Sequence, residues 1–188
     1  MSSNKRTFLE IGACDFNNND DLLDSGWRGI FVEPIEQYYN SLAKKVQGKD
    51  AIVVKAAITN FNGNVNMDTV PNGEDWLRGI SHISSEITSN ITSGLVKTNV
   101  PDILQVVEVP AMTLDTLINT YDVTEIEFLQ MDVEGHELVI LNNYSWHVKP
   151  KFLRIEHKFI DDTLLVSLLE SKGYKCWTER DDVYGILK

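Results

Sequence analysis

Residues 7–15 read TFLEIGACD, an apolar run that leads into a turn containing a glycine. The run is typical of a buried strand, and Gly12 lets the backbone come close to a ligand where the strand ends. A helix that begins soon afterwards directs its N–H groups towards the same spot. Because the three-glycine pattern of dinucleotide sites is absent, this turn alone does not identify a ligand.

Further apolar runs and helical patterns alternate along the chain. Since parallel neighbours need crossover connections of helical length, this predicts one α/β domain over residues 1–188, with a mostly parallel sheet and helices on both faces. Two final strands with a short polar turn between them predict a C-terminal antiparallel hairpin, at residues 174–178 and 183–187. The other predicted strands are 29–32, 51–57, 127–131 and 152–155, and the helices are 18–25, 35–46, 113–120, 137–142 and 161–171.

Composition narrows the function classes. The chain has 188 residues, 43% hydrophobic and 24% charged, which is typical of one globular domain. Its net charge of −11 disfavours nucleic-acid and anionic-membrane partners. Two distant cysteines and the lack of a signal-peptide or membrane-spanning stretch predict a reducing, cytoplasmic location.

Acidic residues follow several predicted strands. Glu33 comes 21 residues after Gly12, the spacing at which an acidic residue reaches the ribose hydroxyls of a nucleoside in doubly wound folds. The later turn DVEGHE at residues 132–137 combines carboxylates with His136, and Glu156-His157 follows the next strand. Helix capping explains some of these residues, but their convergence at one sheet edge favours an active site.

The region 61–110 breaks the alternation. It has an Asn-Gly turn, a stretch rich in Ser, Thr and Asn, and an apolar run near its end. We expect irregular structure with two added strands here, and an insertion at residues 69–103 that acts as a substrate-shaping lid.

Five ordered motifs resemble the FkbM family of class I S-adenosylmethionine-dependent methyltransferases. They are EIGACD at 10–15, EP at 33–34, AAI at 56–58, TLD at 113–115 and DVEGHE at 132–137, the last being the most specific. The chain departs from the family pattern at residues 14–16, where many members carry a further glycine, and at His136, where a small residue is common. The resemblance implies a class I methyltransferase fold with a seven-stranded sheet.

The resemblance also implies that S-adenosylmethionine lies across the strand ends. Gly12 and Ala13 would pass beside the methionine portion, Glu33 would bind the ribose, and Asp132 would face the sulfonium. Adenine would lie between Ile35 and Ala57. The cofactor-binding residues implied in this way are Glu10, Gly12, Ala13, Asp15, Glu33, Pro34, Ile35, Ala57 and Asp132.

We expect methyl transfer to a hydroxyl of a small molecule or sugar, with no resident metal. A base for the hydroxyl proton is sought among His136, His157, Glu134, Glu156 and the lid residue His82. The alternative is a divalent cation held by carboxylates and an imidazole, from Asp132, Glu134, Glu156 and His157.

Two other functions remain open. A nicotinamide-dependent oxidoreductase is disfavoured because the third glycine is missing and no Tyr-x-x-x-Lys pair lies in the segment that follows the fourth strand. A non-catalytic S-adenosylmethionine-binding module has no evident need of Glu134, His136, Glu156 and His157. The sequence specifies neither the acceptor nor the oligomeric state.

Overall fold

The computed structural model describes residues 5–16, 19–70, 81–84 and 105–188. The helices in these ranges are α1 (Asp20–Asp24), α2 (Glu36–Lys45), α3 (Leu114–Thr120), α4 (Glu137–Asn143) and α5 (Asp162–Ser171). The strands are β1 (Thr7–Ile11), β2 (Arg28–Val32), β3 (Ala51–Val54), β4 (Ala57–Ile58), β5 (Gly63–Thr69), β6 (His82–Ile83), β7 (Gln105–Met112), β8 (Phe128–Met131), β9 (Phe152–Glu156), β10 (Tyr174–Glu179) and β11 (Asp182–Leu187).

Seven of the described strands form the main sheet, in the order β10-β11-β9-β8-β1-β2-β3. The pairs from β3 to β9 are parallel, and β11 is antiparallel to both of its neighbours. This arrangement confirms the class I methyltransferase fold and the C-terminal hairpin. The carboxyl ends of β1, β2, β8 and β9 therefore meet at one edge of the sheet.

Helices cover both faces of this sheet. Leu9 and Ile11 of β1 point into the larger core, where they join apolar side chains of α3, α4 and α5. Phe8, on the opposite face, packs with residues of α1 and α2. This two-sided burial explains why apolar residues of β1 face both sides of the sheet. None of the helices in the described part of the chain has the length and apolar content that a membrane crossing requires.

A second, smaller sheet stands beside the carboxyl ends, with the order β4-β7-β5-β6 among the described residues. The prediction of one strand over residues 51–57 is wrong, because the main-sheet strand ends at Val54. There the Ala56 N–H donates to the Val54 carbonyl oxygen at 3.2 Å, and the chain turns away. Ala57 and Ile58 then pair with β7 in the second sheet.

The region 61–110 supplies the rest of this second sheet. The sequence predicts two added strands here, whereas the described residues of the region contain three, of which β5 and β7 pair antiparallel along their length. The short strand β6 lies against β5, with His82 opposite Asp68. Most of the insertion predicted as a lid, residues 69–103, lies outside the described residues.

Gly12 is the tightest point between two strand ends, and we predict that Gly12→Ala destabilises the protein by at least about 3 kcal/mol. A Cβ at this position would lie 1.7 Å from the Asp132 carbonyl oxygen, and the backbone φ is +79°. Gly26 is a matched control, because its φ is +84° and nothing lies within 4 Å of its Cβ position. Gly26→Ala should cost only about 1–2 kcal/mol, the strain of the left-handed conformation. Chemical denaturation measures both variants, and equal losses would contradict the close approach.

Candidate functional site

A cleft opens at the carboxyl ends of the main-sheet strands, with about 560 Å³ of empty space including its mouth. Gly12 follows β1 at its floor, Glu33 follows β2, and Asp132 follows β8. The second sheet closes another side with Ala57, Met67 and Ile83. The cleft therefore has polar groups at the strand ends and apolar groups on the second sheet, as ligand sites in open α/β sheets do.

Glu33 links two of the loops that border the cleft. Its side chain is buried, and its two oxygens accept hydrogen bonds from the backbone N–H of Cys14 at 2.8 Å and of Ile35 at 2.7 Å. An ionised carboxylate has about four acceptor positions, so two remain for a ligand. Burial raises the pKa of Glu33 to about 7, against the lowering effect of the two backbone bonds.

The turn after β1 is held against β2 by backbone bonds. The N–H groups of Gly12 and Ala13 both donate to the Val32 carbonyl oxygen, at 3.0 and 3.1 Å. Gly12 lines the cleft, whereas Ala13 packs with Phe8 on the face of the sheet that α1 and α2 cover. The close approach of backbone to ligand is thus available at Gly12.

Three other predicted cofactor residues are not among the residues that line the cleft. Glu10 is 1% exposed and accepts a hydrogen bond at 2.7 Å from Asn19, just before α1. The backbone carbonyl oxygen of Asp15 accepts a hydrogen bond from Lys45. Ile35 lines a neighbouring groove, which it shares with Pro34, while Pro34 also borders the cleft.

The turn after β8 carries a cluster of carboxyl groups. Oxygens of Asp132, Glu134 and Glu156 all lie within 4.8 Å of one another, because β8 and β9 are parallel neighbours in register. The turn brings Glu134 inward through a φ of +54° and is braced by Glu137, whose Oε1 accepts from the backbone N–H of Val133 at 2.9 Å. Asp132 and Glu134 line the cleft.

Burial and mutual repulsion shift the titration of this cluster. Burial, followed by the charges of Asp132 and Glu134, raises the pKa of Glu156 to about 9. Burial, followed by the charge of Asp132, raises the pKa of Glu134 to about 8, and burial raises the pKa of Asp132 as well. A hydrogen bond between Glu156 and Asp132 stabilises the ionised form of Asp132 and the neutral form of Glu156.

The three histidines considered as bases lie in different surroundings. His136 is buried at 3% exposure, lines the cleft, and has its Nε2 3.0 Å from the Thr59 hydroxyl. His157 is turned towards the final hairpin, where its Nε2 lies 3.1 Å from the Arg180 carbonyl oxygen. His82 lies 3.5 Å from Asp68. Because Ser81 and Ile83 line the cleft, strand alternation directs His82 to the other face of β6.

Several cleft residues were not anticipated from the sequence. Tyr38 of α2 is buried against the cleft, and Thr59, just past β4, holds the ring of His136. Met67 and Ile83 come from the second sheet. Met67 and Ile83 are hydrophobic residues in a polar region, which indicates burial. This pattern does not specify which sheet they join.

The fold is that of the Rossmann-like methyltransferases. The family model described as the Methyltransferase FkbM domain matches residues 10–176. The chain therefore belongs to the FkbM methyltransferase family, as the resemblance of its motifs predicts. A comparison with curated proteins found no match.

Solved structures similar to this chain include a methyltransferase, a pre-rRNA processing protein and a chain of a two-protein complex. Precorrin-6y C5,15-methyltransferase from Geobacter metallireducens is 13% identical, over 97% of this chain and 78% of that one, with a TM-score of 0.47. The Methanococcus jannaschii fibrillarin pre-rRNA processing protein is 12% identical, over 97% and 66%, with a TM-score of 0.49. A chain of a fibrillarin/Nop5p complex is 13% identical, over 96% and 71%, with a TM-score of 0.47. Likeness at this level carries no argument about substrate.

The buried carboxyl groups predict that the protein loses stability as the pH rises from about 6.5 to 9 in metal-free buffer. The ordinary pKa of glutamate is 4.5, whereas the folded chain keeps protons on Glu33 and Glu137 up to a pKa of about 7. Glu134 and Glu156 keep theirs up to pKa values of about 8 and 9. Between the ordinary pKa of 4.5 and these raised values the folded state binds more protons than the unfolded state, so the free energy of unfolding falls with pH and levels off once the folded state has lost them. Urea denaturation at a series of pH values measures it.

A variant pair locates the effect in the cluster. Glu156→Gln removes the group that titrates last, so its stability should depend less on pH above about 8. Glu170→Gln, an exposed change on α5, should keep the wild-type dependence. An unfolding free energy that stays level or increases between these pH values would contradict the assigned burial.

Proposed function

We propose that this methyltransferase uses S-adenosylmethionine to methylate a hydroxyl oxygen on a small molecule or sugar. The observation that carries the proposal is the position of two carboxylates, Glu33 and Asp132, in one cleft around the Cβ-free Gly12. A nucleoside needs acceptors for its ribose hydroxyls, and a cationic sulfur is stabilised by a nearby anion. The cleft offers both groups.

The residues of the cleft fit the cofactor at its separate parts. The two unoccupied acceptor positions of Glu33 suit the ribose, and Pro34 and Ala57 supply an apolar border for adenine. Gly12 borders the cleft beside Asp132, where the methionine portion would lie, and its lack of a side chain lets the two loops come together there. When bound, the cofactor supplies a methyl group to the acceptor oxygen.

The other residues predicted to bind the cofactor do not line the cleft and instead hold its loops in place. Glu10 fixes Asn19, which also donates to Gln130 at 3.1 Å and so ties α1 to β1 and β8. Ala13 anchors the glycine turn in the core, and Asp15 receives the Lys45 ammonium of α2 at its carbonyl oxygen. In this proposal these three residues, with Ile35 at the start of α2, position the cleft.

We assign the acceptance of the hydroxyl proton to His136. Its ring lines the cleft beside Asp132 and Glu134, whereas His157 and His82 face other surroundings. Glu134 and Glu156, with pKa values of about 8 and 9, still hold their protons at neutral pH and are poor bases there. Thr59 orients the His136 ring through its hydroxyl.

A small, uncharged acceptor agrees with the electrostatics. The net charge of −11 and the carboxyl groups at the cleft repel a polyanion such as RNA. Hydroxyl groups of a sugar or polyol find acceptors in the same carboxyl oxygens. No feature of the described residues favours a nicotinamide oxidoreductase or a non-catalytic binding module over a methyltransferase.

Calorimetry of S-adenosylhomocysteine binding tests the cofactor assignment. We expect binding by the wild-type chain, no binding of NAD, and a loss of roughly 1.5–3 kcal/mol in Glu33→Ala, the scale for hydrogen bonds to a charged group. Asp132→Asn should weaken binding as well, and the exposed change Glu170→Ala should not. Thermal unfolding establishes that each variant is folded. Wild-type affinity in folded Glu33→Ala would remove Glu33 from the ribose site.

Methylation kinetics test the roles at the acceptor end, once mass spectrometry of an acceptor library has found a substrate. His136→Ala should leave S-adenosylhomocysteine affinity nearly unchanged and lower the single-turnover rate by roughly 10²–10⁴, the contribution of a general base. Glu134→Gln is the comparison at the neighbouring position. If His136→Ala transfers methyl at the wild-type rate, the base is to be sought at Glu134, Glu156, His157 or His82.

A further inference from the structure

We propose that Asp132, Glu134 and Glu156 form a binding site for a divalent cation such as Mg²⁺ or Mn²⁺. Each residue offers one carboxyl oxygen, and the three oxygens lie within 4.8 Å of one another. Two of them come from the turn after β8 and the third from the end of β9. The ligands are thus fixed by adjacent parallel strands rather than by a free loop.

Several buried carboxyl oxygens in and beside this cluster have no hydrogen-bond donor among the described residues. Glu137 is 1% exposed, and its Oε2 has no hydrogen-bond donor among the described residues. The charge of Glu137 acts on both Glu134 and Glu156, so it adds to the negative potential of the cluster. The Oε2 atoms of Glu134 and Glu156 are buried in the same way without a donor in the described ranges. Buried carboxyl oxygens are normally bonded, which indicates that a partner belongs here.

The protein's own cations do not fill this role in the described part of the chain. Arg154 directs its guanidinium to Asp182, with distances of 3.1 and 2.9 Å to one carboxyl oxygen. Lys158 is exposed and lies over the Phe159 ring, 5.1 Å from its centroid. Both act on Asp132 from a distance, but no ion pair with a lysine or arginine reaches the three carboxyls within these ranges. A bound cation would supply the missing positive charge.

The donor set identifies the class of cation. Three carboxyl oxygens are hard ligands, which suit Mg²⁺, Mn²⁺ or Ca²⁺ better than a soft metal. Ligand oxygens of an octahedral Mg²⁺ stand about 3 Å apart, so the carboxyl groups would close by roughly 1–2 Å around the ion. Three ligands leave coordination positions for water or for an acceptor hydroxyl. Binding of an acceptor hydroxyl to the cation rests on the proposed function, whereas the cation site itself does not.

Electron paramagnetic resonance of Mn²⁺ tests the site without any need for activity. Free Mn²⁺ gives a six-line signal that is lost on binding, so titration of the chelator-treated, desalted full chain counts bound ions. We expect one ion per chain with a Kd below about 1 mM, displaced by excess Mg²⁺. Glu156→Gln and Glu134→Gln should each weaken binding at least about tenfold, as loss of one charged ligand does. Glu170→Gln should bind as the wild type does.

Two results would overturn the cation site. One is an undiminished Mn²⁺ signal with folded wild-type chain at millimolar concentrations, and the other is wild-type affinity in the folded double variant Glu134→Gln/Glu156→Gln. Should one single variant fail to fold, the other carries the comparison. Titration of the same sample with S-adenosylhomocysteine separates the two proposals. A chain that binds Mn²⁺ but not S-adenosylhomocysteine refutes the cofactor assignment alone. A chain that binds S-adenosylhomocysteine but not Mn²⁺ refutes the cation site alone.

Discussion

The approach of the first and fourth parallel strands at Gly12 and Asp132 is the constraint on which the site depends. Asp132 donates its backbone N–H to the Ile11 carbonyl oxygen at 3.0 Å, and Gly12 lies directly against the Asp132 carbonyl group. This contact tolerates no side chain at position 12. It fixes the glycine turn beside the acidic turn, and Glu33 then joins the next loop through its bond to Cys14. The cleft is built from these three strand ends.

The second feature of the molecule is an excess of buried acid at the same edge. Carboxyl groups out of water favour their neutral form, and Glu33, Glu134, Glu137 and Glu156 all follow this rule. Such groups reduce stability when they ionise, so their accumulation at one edge of the sheet is better explained by binding than by folding. A cationic sulfur and a metal ion are two ligands of the right charge, and both proposals place them beside Asp132.

Much of the main sheet could be predicted from the sequence because its strands are buried on both faces. The runs at β1, β2, β8 and β9 are mostly apolar, and the 21-residue interval placed Glu33 in the cleft with Gly12. The second sheet could not be derived, since its short strand β4 continues the apolar run of β3 and separates from it through a local turn at Ala56. The face of the strand on which each side chain lies could not be predicted either. Glu10 and His82 have suitable chemistry, but strand alternation directs both away from the cleft.

A crystal structure with S-adenosylhomocysteine tests the central claim most directly. We expect ribose hydroxyls within hydrogen-bond distance of the Glu33 carboxylate, with the sulfur on the Gly12 and Asp132 side of the cleft. Bound ligand whose ribose does not contact Glu33, for example one seated in the groove between Ile35 and Val107, would contradict it.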